Sequence, residues 1–310
     1  MPPCPRPRLL ASVEDSQLNP AMNGPDFICI GMAKAGTAWL YDQTRYHPDF
    51  WMPPLKEIAY LQRPFNFVRR ARTMLSRAER SGEKKAGTRT HQVACDDRSL
   101  NFVREAAGIV RAPKDLSAYA ALFRHKGGLL SGDITPGYSG IPEDVIAGFA
   151  MHCPDTRVLL LVRDPVARFW SHANMLVRAE KISAPALIRR RPFRKLLHSH
   201  PIAGFASFPT RIVSRWRETA PQLAFKMVLF DDLVSRPEQT RSEVLEYLGA
   251  EPHKQSGELP ANYNRKSAEA KLDMPDKIRS LLLDRYTEEI FACAESFGGA
   301  AREWPKRYGL

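Results

Sequence analysis

The sequence predicts an α/β fold in which helices cover both faces of a central parallel sheet. Short apolar runs alternate along the chain with longer segments of helical pattern. One run, VLLLV at Val158–Val162, is continuous, as is typical of a strand that is buried on both faces. Alternating strands and helices favour a three-layer arrangement with a helical layer on each side of the sheet. Ligands of such folds bind beyond the carboxyl ends of the strands.

Apolar spacing, together with prolines near helix ends, predicts the strands and helices along the chain. Strands are predicted at Phe27–Ile30, Leu129–Ile134, Val158–Val162 and Ala224–Phe230. Helices are predicted at Thr37–Tyr46, Leu116–Phe123, Pro142–Met151, Ala167–Arg178, Phe208–Thr219, Pro237–Leu248 and Pro275–Phe297. Residues 65–112 are charged and helical in pattern, with an exposed loop predicted at Gly82–Gln92, and residues 181–204 are predicted to form a mobile excursion.

The chain length of 310 residues suits a single domain, predicted at residues 25–310, after a flexible arm at residues 1–24. The arm is rich in proline and lacks the apolar core of a secretory signal, and no apolar run in the chain is long enough for a membrane span. Five cysteines without a C-x-x-C pair give no sign of a disulfide framework or a zinc site. We therefore expect a cytoplasmic protein without a metal.

The formal net charge of +12 favours anionic partners without naming one. Nucleotides, acidic glycans, nucleic acids and membrane surfaces all qualify, and a solvated basic surface is the alternative. The clusters Arg69-Arg70 and Arg189–Arg191 lie away from any phosphate-loop pattern, so they are interpreted as solvated surface. Because no basic motif with interleaved aromatic residues is found, a nucleic-acid partner is not expected.

A loop that suits a phosphate group follows the first predicted strand, in the stretch Gly31-Met-Ala-Lys34-Ala-Gly36-Thr37. Gly36 permits close approach of the backbone, and the N–H groups at the start of the next helix attract an anion. Lys34 adds a positive charge, and Thr37 adds a hydroxyl group. The order of residues differs from the ATP-binding pattern G-x-x-x-x-G-K-[ST], so the loop is P-loop-like only. An ordinary strand–helix turn with a solvated lysine is the alternative.

A second candidate phosphate contact follows the strand VLLLV, where the chain continues as Arg163-Asp-Pro165. The guanidinium of Arg163 offers a fork of donors that suits a dianionic phosphate. Ser171 lies eight residues further on, about two helical turns, and can add a hydroxyl donor. The alternative is a buried strand followed by a helix with surface arginines.

Together, the two segments resemble the donor-binding loops of sulfotransferases that use 3′-phosphoadenosine 5′-phosphosulfate (PAPS), as in the heparan-sulfate-type and bacterial branches of that family. The matching positions are Ile30, Gly31, Lys34, Gly36, Thr37, Leu40, His47, Pro48, Arg163, Pro165, Arg168 and Ser171. The resemblance implies a P-loop-like fold, PAPS as donor and 3′-phosphoadenosine 5′-phosphate (PAP) as product. Its implied donor contacts are Lys34, Ala35, Gly36, Thr37 and Ala38 at the 5′ end, and Arg163 and Ser171 at the 3′ phosphate. Ala38 departs from the family pattern, which has Thr or Ser there.

The resemblance also implies a general base, because an acceptor alcohol or amine loses a proton as it attacks sulfur. The family places Lys-Glu after the first helix, where this chain has Lys56-Glu57. Glu57 is the predicted base, Lys34 the predicted stabiliser of the leaving phosphate, and Lys56 an assisting residue. No metal is required in this scheme. An exposed ion pair between Glu57 and Lys56 is the alternative.

Two further segments resemble the family more loosely. GDITPGYS, Gly132 to Ser139, resembles G-E-K-[TS]-P-x-Y, with Asp133 in place of Glu and Ile134 in place of Lys. Asp133 and Tyr138 are predicted to lie at the acceptor, although Tyr138 also suits simple packing. Arg265 and Lys266 precede the last helix and are predicted donor contacts, with a solvated basic loop as the alternative.

The predicted function is transfer of a sulfuryl group from PAPS to a hydroxyl or amine. The helical stretches near 65–125 and 181–204 are expected to shape the acceptor cleft. A glycan, a glycolipid and a small metabolite stay open as the acceptor, and the oligomeric state is not readable. One rival is a P-loop kinase or NTPase, which would bind ATP with magnesium. The other is a non-catalytic protein that binds nucleotides or polyanions.

Overall fold

The computed structural model describes residues 24–81, 85–88, 91–94, 96–109, 115–254, 259–263 and 271–310. The strands are β1 (Phe27–Gly31), β2 (Lys85–Thr88), β3 (His91–Ala94), β4 (Gly132–Ile134), β5 (Arg157–Val162) and β6 (Phe225–Leu229). The arm predicted at residues 1–24 lies outside the described residues except for Gly24.

A four-stranded parallel sheet forms the centre of the domain in the order β4-β1-β5-β6. All five residues of β1 are buried, as are the last five of β5, Val158–Val162. Burial on both faces explains why these strands read as continuous apolar runs. Because helices flank this sheet, the predicted fold class is confirmed.

The helices connect and cover the strands. They are α1 (Thr37–Arg45), α2 (Pro64–Ser81), α3 (Asp97–Gly108), α4 (Leu116–Ala121), α5 (Glu143–His152), α6 (Pro165–Arg178), α7 (Ala184–Ile188), α8 (Arg190–Ser199), α9 (Pro209–Thr219), α10 (Phe230–Ser235), α11 (Pro237–Leu248), α12 (Asp276–Phe297) and α13 (Trp304–Arg307). Short 3₁₀ turns lie at Leu122–Lys126, Pro136–Gly140, Pro201–Ala203, Phe205–Ser207 and Gly299–Glu303.

Two predicted segments differ from the structure. Where a loop was predicted at Gly82–Gln92, β2 pairs with β3 as an antiparallel hairpin that extends to Ala94 and lies outside the main sheet. The excursion predicted at residues 181–204 is folded into α7 and α8, because Leu187, Phe193 and Leu197 on these helices are buried in the core. Apolar side chains at helical spacing were present in that segment, and the prolines and arginines between them obscured the pattern.

Strand β4 is shorter than predicted. The regular strand covers three residues, Gly132–Ile134, and Leu130, two residues before it, forms only an isolated parallel bridge with Phe50. Throughout the described ranges, no helix combines the length and the apolar character that crossing a membrane requires.

Candidate active site

A cleft of about 1270 Å³ opens at the carboxyl ends of β1, β4 and β5. This is the edge of a parallel sheet at which ligands bind in such folds. The cleft brings together eight of the predicted site residues: Lys34, Gly36, Thr37, Ala38, Lys56, Glu57, Arg163 and Ser171. Residues that are up to 137 positions apart in the sequence therefore share one surface.

The loop between β1 and α1 presents the start of a helix to the cleft. Gly36 is the N-cap of α1 with a left-handed backbone (φ 109°), and no side chain of a described residue caps it. A Cβ atom at Gly36 would lie 2.7 Å from Cδ1 of Leu233, so glycine fits the position for both space and conformation. Lys34 is also left-handed (φ 74°). The first turn of α1 therefore offers N–H groups to an anion beside a lysine.

Ala35 contributes to this loop through its backbone. Its side chain is fully buried, and its N–H donates to the Met32 carbonyl at 3.1 Å. Ala35 is not among the residues that line the cleft. The methyl group of Ala38 does line the cleft, at the position where the family pattern has a hydroxyl.

Arg163 joins the two predicted phosphate loops. Its Nη1 donates to the Lys34 carbonyl at 3.0 Å, and its guanidinium lies 4.3 Å from the centroid of the Phe230 ring. Its other N–H groups form no hydrogen bond with a described residue. Burial lowers the pKa of Arg163, although Asp164 and Asp231 favour its charged form. Because arginine has a pKa far above 7, the group stays cationic and available to an anion.

Asp164 fixes the start of α6 behind Arg163. Its carboxylate accepts from the N–H groups of Val166 at 2.8 Å and Ala167 at 3.1 Å, and from the Tyr308 hydroxyl at 2.6 Å. Burial raises the pKa of Asp164, and these donors oppose the shift. The carboxylate therefore serves the helix cap and the C-terminal segment and positions its neighbour Arg163.

Ser171 and His172 lie on α6 and line the same cleft. Burial, with the charges of Arg168 and Lys34, lowers the pKa of His172 to about 3. His172 is therefore neutral at physiological pH, and its buried Nδ1 has no partner among the described residues. Arg168, which the motif match includes, is fully buried and donates to the Ile202 carbonyl at 2.6 Å and to the Ser207 hydroxyl. It fixes the segment after α8 and does not reach the cleft.

Glu57 lies in an irregular loop at the cleft, and its side chain is exposed. Glu57 and Ala59 both have left-handed backbones, with φ of 58° and 57°. For residues other than glycine this conformation costs about 1–3 kcal/mol each, and surrounding contacts must stabilise it. Arg70 of α2 supplies such contacts, because it donates to the Glu57 carbonyl at 2.5 Å and to the Lys56 carbonyl at 2.8 Å.

A buried network holds the same loop from the side of the sheet. The Asp133 carboxylate accepts from the hydroxyls of Thr135 at 2.6 Å and Tyr138 at 2.5 Å. Thr135 Oγ1 in turn accepts from the Ala59 N–H at 3.1 Å, and the Tyr138 hydroxyl accepts from the Leu61 N–H at 3.4 Å. Burial raises the pKa of Asp133 to about 6, although its hydrogen bonds lower it. The network supports the backbone on which Glu57 is carried.

This placement corrects the expectation that Asp133 and Tyr138 lie at the acceptor. Asp133 is 1% exposed and Tyr138 is 0% exposed, and neither lines the cleft. Each residue affects the cleft only indirectly, through the loop that it supports. Arg265 and Lys266 lie outside the described residues.

Sequence reasoning missed the arginines of α2. Arg69 and Arg70 were interpreted as solvated surface, but both line the cleft together with Arg63 and Asn66. The spacing of Asn66, Arg69 and Arg70 places them on one face of a helix, which was the available signal. The stretch near 65–125 was expected to shape the acceptor cleft, but the sequence did not show that this face of α2 shares a cleft with the two predicted phosphate loops. Within the described residues, no group of three or more His, Cys, Asp or Glu side chains is placed to hold a metal ion.

Comparison with known proteins decides the family. The sequence profile of the Sulfotransferase family matches residues 25–254. The chain belongs to the sulfotransferase family. A search of curated proteins found no match. The match covers both predicted phosphate loops and the Glu57 loop, and it ends before α12.

Solved sulfotransferase structures are similar to this chain, and the first of them shows the same fold. The sulfotransferase from Alicyclobacillus acidocaldarius is similar with a TM-score of 0.59 and 20% identity, over 90% of this chain and 98% of that chain. Sulfotransferase STF9 from Mycobacterium avium is similar with a TM-score of 0.46 and 11% identity, over 87% of this chain and 77% of that chain. The first likeness agrees with the P-loop-like sheet described above.

Proposed function

We propose that this sulfotransferase takes PAPS as its donor and transfers the sulfuryl group to a hydroxyl or amine, with Glu57 as general base and Lys34 as stabiliser of the leaving group. The observation that carries the proposal is the shared cleft, which places an uncapped helix start, Lys34, Arg163 and Glu57 on one surface. Bound PAPS supplies an activated sulfuryl group whose departure leaves PAP.

The 5′ end of the donor fits the loop between β1 and α1. The N–H groups of Gly36, Thr37 and Ala38 lie at the start of α1, which has no acidic residue in its first turn. A helix start with exposed N–H groups favours a phosphate or sulfate by hydrogen bonding and by its dipole. Glycine at position 36 leaves room for close approach of such a group.

The 3′ phosphate fits Arg163 and Ser171. The Arg163 guanidinium is held in place by the Lys34 carbonyl and by the Phe230 ring, so its orientation is set before a ligand binds. Charge-assisted hydrogen bonds from arginine to phosphate are among the stronger polar contacts in proteins. A smaller cavity of about 450 Å³ borders Arg163, Ala167 and Phe230, which gives space for the nucleoside next to this group.

Glu57 is the candidate base because it is the one acidic side chain among the described residues that line the cleft. Its exposed carboxylate accepts the proton that the acceptor hydroxyl or amine releases as its oxygen or nitrogen bonds to sulfur. Arg70 and the Asp133 network hold the backbone of the loop, which fixes where the carboxylate sits.

Lys34 and Lys56 are the candidates for charge stabilisation. The bond from sulfur to the bridging phosphate oxygen breaks in the transfer, and negative charge grows on that oxygen. A preorganised ammonium group near this charge lowers the barrier. Lys34 belongs to the 5′ loop and is assigned this role, while Lys56, next to Glu57, is assigned an assisting role toward the acceptor.

The family match supports sulfuryl transfer over the kinase and the non-catalytic alternatives. The direct test is a donor exchange with a pooled set of alcohols, amines, sugars and glycolipids. With PAPS and a metal chelator, mass spectrometry should show at least one acceptor that gains one SO₃ unit. With ATP and magnesium, none should gain a phosphoryl group. Phosphorylation with ATP and no sulfation with PAPS would contradict the proposal.

A further inference from the structure

The charge of the cleft is strongly one-sided. Nine Lys or Arg residues line it, at positions 34, 56, 63, 69, 70, 163, 178, 181 and 271, and Glu57 is the only acidic residue among the described lining residues. Like charges that are gathered on one surface repel one another and oppose compact folding. Such a concentration in a concave site indicates that an anionic ligand compensates it.

The donor accounts for only part of this charge. Under the function proposed above, Lys34, Lys56 and Arg163 serve the donor and the reacting groups, and Arg70 is bound to two loop carbonyls. Five exposed cations remain: Arg63, Arg69, Arg178, Lys181 and Lys271.

Four of these cations belong to two parts of the cleft wall, the end of α6 and the start of α2. Arg178 is seven residues beyond Ser171 on α6, which corresponds to about 10 Å along the helix axis. Lys181 follows just after the end of α6. Arg63 directly precedes α2, and Arg69 lies on the face of α2 that borders the cleft.

Three of these cations are not neutralised by ion pairs within the described part of the chain. Elsewhere in the described chain, Arg236 pairs with Asp232 and Glu243. In contrast, Arg63, Arg69 and Lys181 have no acidic partner among the described residues. The cleft of about 1270 Å³ also exceeds the roughly 300–1,000 Å³ of pockets that hold one drug-sized ligand, so a sizeable acceptor fits beside the donor.

We infer that the acceptor is itself an anion, a molecule that bears the reacting hydroxyl or amine together with carboxylate, sulfate or phosphate groups, and that Arg63, Arg69, Arg178 and Lys181 bind those groups. This inference rests on the proposed function, because it identifies the second substrate of the same cleft. Amide side chains of Gln62 and Asn66 lie beside Arg63 and Arg69 and suit the hydroxyl groups of such an acceptor.

The test compares ligands that differ only in charge. Calorimetric titrations into the PAP-loaded protein use tetragalacturonate against its uncharged methyl ester, and glucose 6-phosphate against glucose. We expect at least one acid to bind about tenfold or more tightly than its neutral partner, and to lose this advantage as salt is raised. The uronate pair reports on an anionic glycan, and the phosphate pair on a phosphorylated small molecule or headgroup.

A double variant connects the binding to the residues. R63A/R69A should weaken binding of the preferred anion about tenfold, which is within the range that two solvent-exposed ion pairs supply. PAP affinity should change less than about threefold. The matched control R191A/R194A removes the same charge from the exposed side of α8, outside the cleft, and should bind the anion like the wild type.

The inference is overturned if every acid binds no better than its neutral partner, or if R63A/R69A behaves like R191A/R194A. Failure of the proposed function is distinguishable from both outcomes. In that case the wild type would not bind PAP in the first step, whichever acceptor probe is used.

Discussion

At the scale of single residues, we expect substitution of Glu57 to have the largest effect on turnover. Its carboxylate is exposed in the cleft, and its backbone is held in a conformation that most residues avoid. Glu57→Gln keeps the size of the side chain and one acceptor oxygen, and it removes the ability to take a proton. We expect kcat to fall about 10²- to 10⁴-fold while PAP binding changes little.

The matched control for this variant is Glu180→Gln. Glu180 is also exposed and also left-handed (φ 55°), and it does not line the cleft. Steady-state rates and PAP titrations on both variants separate the effects. Normal turnover by E57Q would remove Glu57 from the role of base.

At the scale of elements, α2 and the Glu57 loop act as a unit. Arg70 reaches 13 and 14 positions back along the chain to two consecutive carbonyls, and this clamp offsets the cost of the left-handed residues. Arg70→Ala should release the loop and misplace the Glu57 carboxylate. We expect kcat to fall about tenfold to a hundredfold, because small displacements of a catalytic group have effects of this size.

A second arginine of α2 provides the control for the clamp. Arg72 also donates to a carbonyl, that of Ala107 at 2.9 Å, and lies outside the cleft. R72A should lower the free energy of unfolding without a matching loss of kcat. Equal kcat for R70A and R72A would show that the clamp has no part in positioning the base.

The elements also show how far the sequence alone was informative. Apolar runs such as Phe27–Ile30 revealed the strands because burial on both faces leaves a local pattern. The Glu57 loop has no such local pattern, because Thr135, whose hydroxyl accepts from the Ala59 N–H, is 76 positions away. Asp133 was placed at the acceptor for the same reason: its motif with Tyr138 was visible, but the burial of both residues and the hydrogen bond from Tyr119 were not.

At the scale of the whole molecule, the buried Asp133 network connects folding to pH. Because burial raises the pKa of Asp133 from 3.8 to about 6, the folded protein retains a proton between those values that the unfolded chain releases. The contribution of this group to stability is therefore largest below about pH 4 and falls as the pH rises toward 6. Above that range the carboxylate is ionised in its buried site, and this burial of charge lowers the free energy of unfolding.

Asp133→Asn removes this titration. Between pH 4 and pH 6.5 the wild type should lose roughly 2–3 kcal/mol of free energy of unfolding relative to D133N. Urea unfolding at half-unit pH steps measures it. A difference that stays constant across the range would mean that Asp133 does not retain a proton in the folded protein.

The central claim, that the two loops clamp a nucleotide with phosphates at both ends, is tested most directly by calorimetry. PAP, ADP and magnesium-ADP are titrated into the wild type, Arg163→Ala and the control Arg157→Ala, which removes an arginine from the opposite end of β5. We expect PAP to bind at least about tenfold more tightly than ADP without magnesium, and R163A alone to lose about 10- to 100-fold of that affinity. Magnesium-ADP binding as tightly as PAP, or R163A binding PAP like the wild type, would contradict the claim.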